Sequence, residues 1–274
     1  MRTAIRAALL SGRRRPVVRG GVRPYPRRGD GLEIAELRAY VEGDDPRRID
    51  WAATARAGAL QVRVLLDEHA LCFGAIVDSS LSMRVGRKRT LDDAAADALD
   101  AWADALGPED RAVRILSDDL DAPHLTGSSA AARLRERYPP APFDLAAALR
   151  LASRAIPRDA ALLVISDFYD EPDESLLREV SIRLDATALV ARDPWRDGLP
   201  LRGFVRVRDA EGAGARTIFV GRAARRRFVD AVRRREERLL FKLGSSGWRT
   251  GLLSEGDGAA SLLSAFGIGS AVAR

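Results

Sequence analysis

Two runs of apolar residues constrain this chain more than any other feature. Residues 70–77 read ALCFGAIV and residues 161–166 read ALLVIS, and the residue after each run is an aspartate, Asp78 and Asp167. Neither run alternates polar with apolar positions, so a strand built from it must be covered on both faces. Such a strand belongs inside a sheet that carries helices above and below. The neighbouring segments have the spacing to supply those helices. In TLDDAAADALDAWADALG, apolar Leu91, Ala95, Leu99, Trp102 and Leu106 recur near helical spacing, Thr90 and Asp93 form a start pair, and Gly107 can end the helix. Helices are predicted again in SAAARLRERY, FDLAAALRLASRAI, DESLLREVSIRL, RFVDAVRRREERLLFKLG and AASLLSAFG, and strands in DRAVRILS, DATALVAR and, at an edge, WRTGLL. GFVRVRD and ARTIFVG read as a hairpin across AEGAGA. The alternation predicts an α/β fold of Rossmann-like type, with a mostly parallel central sheet flanked by helices.

The 274 residues suffice for one large domain with a small appendage. We divide the chain into an N-terminal basic and extended segment, 1–66, and an α/β domain, 67–274. Residues 1–20 read as a basic lead. After the turn-rich GVRPYPRRGDG, a short helix in RRIDWAATARAG should end at Gly58, and ALQVRVLLD reads as a strand. This region has little core of its own, so it is expected to pack on the α/β domain. The single cysteine, Cys72, excludes a disulfide within the chain and lies in an apolar run, as a buried thiol does. The five-residue apolar stretch near the start is too short for a signal peptide, and no window approaches about 18 uncharged apolar residues. The expectation is a soluble, cytoplasmic protein that meets no membrane. Of 45 basic residues only Lys88 and Lys242 are lysines, and the net charge is +6. Arginines cluster at 13–15, 225–227 and 233–235, but no zinc-finger spacing or RNA-binding signature accompanies them. A solvated helix face is the favoured reading, with a basic nucleic-acid-binding module as an alternative.

The chemistry concentrates in VDSSLSM. Asp78, Ser80 and Ser82 stand at i, i+2 and i+4 directly after the first apolar run. A turning loop can aim these three oxygen donors at one point, and oxygen donors suit a hard cation such as Mg²⁺. Ligands of open parallel sheets bind at the carboxyl ends of strands. If both runs are central, Asp78 and Asp167 converge on one rim, where two carboxylates repel unless a cation or protons lie between them. The competing role for these residues is local: Asp78 caps a loop and the serines satisfy backbone groups.

A second candidate surface is the charged patch of Asp44, Asp45, Arg47, Arg48, Asp50, Trp51 and Arg56. Its charges should be at least partly paired, since unpaired burial is costly. Trp51 either packs on the domain or, with Arg47, Arg48 and Asp50, contacts a partner, as Trp and Arg often do. Phe168 is expected buried and Tyr169 near the surface, where it joins the partner-binding candidates. The two histidines, His69 and His124, sit in no nucleophile–base motif, and there is neither a GxSxG elbow nor a GxxxxGK[ST] phosphate loop. The chain is therefore read as a non-enzyme, metal-assisted hydrolysis being the alternative.

The chain resembles the DUF58 family of bacterial proteins, which carry a von Willebrand factor A-like domain. The resemblance rests on the pattern RxYxxGDDxRxIDWxxxARxGxLxVR, met here by Arg38, Tyr40, Gly43, Asp44, Asp45, Arg47, Ile49, Asp50, Trp51, Ala55, Arg56, Leu60, Val62 and Arg63. It continues through the adhesion motif DxSxS at Asp78, Ser80 and Ser82, and ISDF at Asp167. It implies a metal-ion-dependent adhesion site on Asp78, Ser80, Ser82 and Asp167, with Mg²⁺ or another divalent cation receiving an acidic side chain from a partner. It further implies an adaptor that links a MoxR-type AAA+ ATPase to a client protein during assembly or activation of another complex. Phe143 stands where the superfamily has a threonine, in APFDLAAAL. Either water or another group completes the coordination, or the rim docks its partner without metal.

Overall fold

The computed structural model describes residues 2–12, 34–41, 44, 46–65, 71–121, 125–208 and 214–268. The chain forms two units, Arg14–Ala70 and a larger one made of Met1–Arg13 with Leu71–Arg274. It opens with helix α1 (Arg2–Gly12), which belongs to the larger unit. In the smaller unit β1 (Ile34–Ala39) pairs antiparallel with β2 (Gln61–Leu65). Between them a 3-10 turn at Pro46–Arg48 leads into α2 (Trp51–Ala57). Asp50 starts α2 by accepting from Ala53 N at 2.9 Å, and Gly58 ends it in the left-handed region at φ 69°, as the sequence predicts.

The larger unit is built on a six-stranded sheet. Along the chain its strands are β3 (Cys72–Val77), β4 (Arg111–Ile115), β5 (Leu120–Asp121), β6 (Ala161–Ser166) and β7 (Asp185–Ala191). A hairpin of β8 (Gly203–Arg208) and β9 (Ala215–Val220) follows, and β10 (Arg249–Leu253) completes the sheet. The spatial order is β10-β7-β6-β3-β4-β5. All neighbours run parallel except the short edge strand β5, which pairs antiparallel with β4. From β3 the chain moves outward through β4 and β5, then returns to β3's other side at β6 and moves outward again. The order therefore reverses between β3 and β6, the two apolar runs, and this switch point is where open α/β sheets leave a crevice.

Helices cover both faces, as the two-sided burial of β3 and β6 requires. Side chains of α1, α3 (Leu91–Asp104), α4 (Gly127–Leu134) and α8 (Gly258–Ala265) share one core, where Phe73 and Trp102 meet edge to face at 5.2 Å. Those of α5 (Leu145–Ala155), α6 (Glu174–Arg183) and α7 (Arg222–Ser245) share the other. Thr90 and Asp93 form the predicted reciprocal cap of α3. Three differences from the sequence pattern have local causes. The lead segment contributes to the core: Ile5 and Leu9 lie one turn apart on α1 and are fully buried, while Arg6 pairs with the buried Asp110. Gly107 does not end α3, which stops at Asp104; Gly107 N instead donates to Asp110 at 2.6 Å in the turn that opens β4. The segment read as a loop over 118–127 contains β5.

Candidate functional site at the carboxyl rim

β3 and β6 end together. Asp78 N donates to Ile165 O at 2.9 Å, so the β3–β6 ladder runs into the DxSxS loop and fixes the first residue of the motif. The Asp78 side chain turns inward and is only 6% exposed. Its Oδ1 accepts from Ser80 N at 2.9 Å, and its Oδ2 accepts from the Ser166 hydroxyl at 2.7 Å. The hydroxyls of Ser80 and Ser82 stand 2.8 Å apart and hydrogen-bond to each other. The loop thus brings the Ser80 and Ser82 hydroxyls together beside the Asp78 carboxylate.

Across the crevice, Asp167 is half-buried and its Oδ1 accepts from Tyr169 N at 2.9 Å. Burial pushes the Asp78 carboxyl above the ordinary carboxylate range, against the hydrogen bonds from Ser80 and Ser166, and the charge of Asp167 pushes it further. The two aspartates follow neighbouring parallel strands, β3 and β6. Phe168, between Asp167 and Tyr169, is fully buried and takes a left-handed φ of 52°. That conformation costs a non-glycine residue on the order of 1 kcal/mol. It is held from both sides: Phe168 N donates to Ser166 Oγ at 2.9 Å, and Phe168 O accepts from Arg235 of α7. The same guanidinium donates to Asp167 O at 3.2 Å and lies 5.5 Å from the ring of Tyr169, which is 79% exposed.

Three contributors escaped sequence reasoning. Ser166 is the one hydroxyl in ALLVIS, and it orients Asp78 while holding Phe168. Asp193 follows β7 much as Asp78 and Asp167 follow theirs. Its Oδ1 accepts from Trp195 N at 2.7 Å, and burial, then the neighbouring charge of Asp167, raise its carboxyl against the pull of Arg235. For Asp193 the available signal was an aspartate soon after an apolar strand, in LVARD; the roles of Ser166 and Arg235 carried no local signal.

Phe143 is partly buried and packs against the core that α5, α6 and α7 share. Asp144 beside it is used as the N-cap of α5, accepting from Ala147 N at 2.8 Å. Phe143 therefore offers no oxygen to the rim, and one oxygen of Asp144 is committed to the cap. The remaining donors suit a hard cation: all are oxygens, and the Ser80–Ser82 separation matches the spacing of roughly 3 Å between adjacent oxygens of an octahedron with about 2.1 Å bonds. Among the described residues no group of three or more His, Cys, Asp or Glu side chains is placed to hold a metal ion, so the hydroxyls and water would have to complete the shell.

The other candidates are on the smaller unit. Trp51 is 68% exposed and Arg47 is exposed, whereas Asp50 is committed to capping α2. Arg48 lies in the 3-10 turn with its side chain outside the described residues, as are Asp45, His69 and His124. Among the described residues no helix is long and apolar enough to cross a membrane.

The fold and the rim define a doubly wound α/β domain with an oxygen-lined crevice at its switch point. The chain belongs to the DUF58 family: the family model, described as a protein of unknown function, matches residues 36–238. It is 32% identical over 219 residues to the uncharacterized protein Rv1480 of Mycobacterium tuberculosis and likewise to Mb1516 of Mycobacterium bovis, covering 74% of this chain and 68% of each relative. Among solved structures it is similar to a von Willebrand factor type A protein from Catenulispora acidiphila, at TM-score 0.42 and 14% identity. That match covers 73% of this chain and 42% of the other.

Proposed function

We propose that this chain is a non-enzymatic docking adaptor whose carboxyl rim receives an acidic side chain from a partner protein. The observation that carries the reading is the pairing of the Ser80 and Ser82 hydroxyls over the buried Asp78, at the one point where the sheet order reverses. Ser80 and Ser82 would hold a divalent cation, Mg²⁺ by the chemistry of the donors, with Asp78 and Asp167 balancing its charge. A bound cation supplies a positive point that a partner's carboxylate can reach. Around it Leu81, Val85 and Tyr169 are exposed, at 49%, 36% and 79%, and give the apolar contacts that such a carboxylate needs beside it. Trp51 and Arg47 offer a second contact on the smaller unit.

The family resemblance supports a MoxR-type AAA+ ATPase as the partner, with the adaptor carrying it to a client. The chain has no phosphate-loop sequence, so nucleotide hydrolysis would belong to the ATPase. The test is co-purification of the full chain with a MoxR-type ATPase from the same genome, in Mg²⁺ and in chelator. Retention in Mg²⁺, with loss both in chelator and in Asp78→Ala, is expected. Association that survives Asp78→Ala would remove the rim from the interface.

A further inference from the structure

A second face of the larger unit is unlike the rest of the surface. Among the described strands, β8 and β9 pair only with each other, so both outer edges of the hairpin lack a strand partner. Phe204 and Phe219 are opposite one another in the register. Their rings meet edge to face at 5.2 Å, yet they are 81% and 65% exposed. The next pair on the same side of the hairpin is Arg206 with Thr217, both exposed. The chain then passes through Gly221 into α7, and the Phe219 ring lies 3.4 Å from where a Cβ on Gly221 would stand. Immediately beyond, Arg222, Arg225 and Arg226 line an open cavity of about 300 Å³ with Leu199, Val229 and Asp230.

The charge of this face is unbalanced. Residues 201–230 contain eight arginines against three acidic residues, Asp209, Glu211 and Asp230, the last of which lines the cavity. Among the described residues, none of Arg206, Arg216, Arg222, Arg225 or Arg226 is ion-paired, and the Nε of Arg225 is buried without a hydrogen-bond partner. The stretch of α7 from Arg233 onward differs. There Arg233 pairs with Asp197, Lys242 with Glu171, and Glu236 with Arg192 and Arg196. Arg233, Arg235 and Lys242 thus carry ion pairs along the later part of the helix, where Arg234 and Arg238 stay exposed, whereas Arg222, Arg225 and Arg226 border the hairpin without one.

We propose that the hairpin and the first two turns of α7 form a docking face for an acidic protein segment punctuated by apolar residues. An apolar side chain of the segment packs on the Phe204–Phe219 pair, and its carboxylates enter the arginine-lined cavity, where guanidinium groups can bind them in bidentate fashion. A free hairpin edge can add main-chain hydrogen bonds to an extended peptide. Nucleic acid is the lesser fit. The two rings pack edge to face on each other, whereas a base-binding platform offers ring faces to successive bases. This face lies outside the rim, and the proposal stands whether or not the rim binds metal.

The test uses the full chain and fluorescein-labelled peptides of repeated Glu-Glu-Phe and repeated Glu-Glu-Ser, read by anisotropy, with an oligothymidylate of similar charge as competitor. The phenylalanine peptide should bind at least about tenfold more tightly than the serine peptide, and more weakly as salt rises. Phe204→Ala with Phe219→Ala should bring it down to the serine peptide. Arg222→Glu with Arg225→Glu and Arg226→Glu should abolish binding, and Arg222→Lys with Arg225→Lys and Arg226→Lys should retain most of it. The charge variants lie on the helix and test the face even if the hairpin variant folds poorly, which circular dichroism will show. Equal binding of both peptides, binding indifferent to the charge reversals, or an oligonucleotide that binds more tightly and displaces the peptide would each overturn the proposal.

Discussion

The carboxyl rim and the hairpin face are both polar, yet they are assembled on opposite principles. At the rim, buried groups answer one another: Ser166 donates to Asp78 and accepts from Phe168 N, Ser80 meets Ser82, and Arg235 holds the carbonyls of the β6 loop. On the hairpin face, charge accumulates without partners and aromatic rings remain in solvent. A site whose polar groups are pre-arranged can fix one small ligand in one geometry. A surface of unpaired like charges gains little until an opposite charge arrives, and it recruits over distance in a salt-dependent way. The two regions should therefore respond differently to the same kinds of substitution.

The largest separation is expected in stability. Ser166→Ala removes the donor to Asp78 Oδ2 and the acceptor for Phe168 N, both buried. Stranding buried polar groups costs about 1–3 kcal/mol each, so a loss of about 3 kcal/mol should appear in urea unfolding. A loss below about 1 kcal/mol would mean that water replaces the hydroxyl and that the rim is less pre-arranged than its geometry indicates. The next effect is ligand linkage. With Mg²⁺ at about a hundredfold over its dissociation constant, the wild-type protein should gain about 2.7 kcal/mol. The same titration of Ser80→Ala/Ser82→Ala should shift the thermal midpoint far less. Equal shifts in both proteins would place the cation elsewhere.

These predictions rest on features that were unevenly legible in the sequence. The central strands, the cap of α3, the end of α2 and the hairpin follow from local patterns: apolar runs, Thr90 with Asp93, Gly58, and two alternating segments around a glycine-rich turn. Asp78, Ser80 and Ser82 were legible because a single loop delivers them. Ser166, Asp193 and Arg235 were not, because their roles depend on which strands end side by side and on where a helix seventy residues away returns. The place of α1 in the core was hidden for another reason. Ile5 and Leu9 make a two-residue apolar face inside a short basic segment, too brief a period to distinguish a packed helix from a frayed lead.

A subtler contrast concerns pH. In the absence of divalent cations, burial holds the Asp78 carboxyl above its ordinary value near 3.8. As pH rises from that value, the unfolded chain loses this proton first, so the folded chain holds more protons across the window up to its raised value. Stability contributed by this group therefore falls as pH rises through the window. Asp78→Asn removes the titration and keeps an acceptor for Ser80 N. Its stability relative to wild type, measured in chelator, should improve from acid toward neutral pH, and saturating Mg²⁺ should reverse the ranking. A difference that stays flat across the window would show that Asp78 is ionised at no cost, and the rim would need no counter-ion.

The smallest effect is the one that most directly divides structure from function on α7. Arg222 is the first residue of the helix, and no acidic residue occupies the first turn. A positive charge there opposes the helix dipole, while a negative charge would be favoured by about 0.5 kcal/mol at low ionic strength. Arg222→Glu should therefore leave the fold intact and raise its stability slightly, by thermal or urea unfolding in low salt. The same substitution should weaken binding of the Glu-Glu-Phe peptide. Stability and binding moving in opposite directions is the signature of a residue kept for a partner at the expense of its own helix. If Arg222→Glu instead destabilises the chain by about 1 kcal/mol or more, the arginine serves the packing of α7 against the segment at Leu199, and the contrast between the two stretches of the helix loses its meaning.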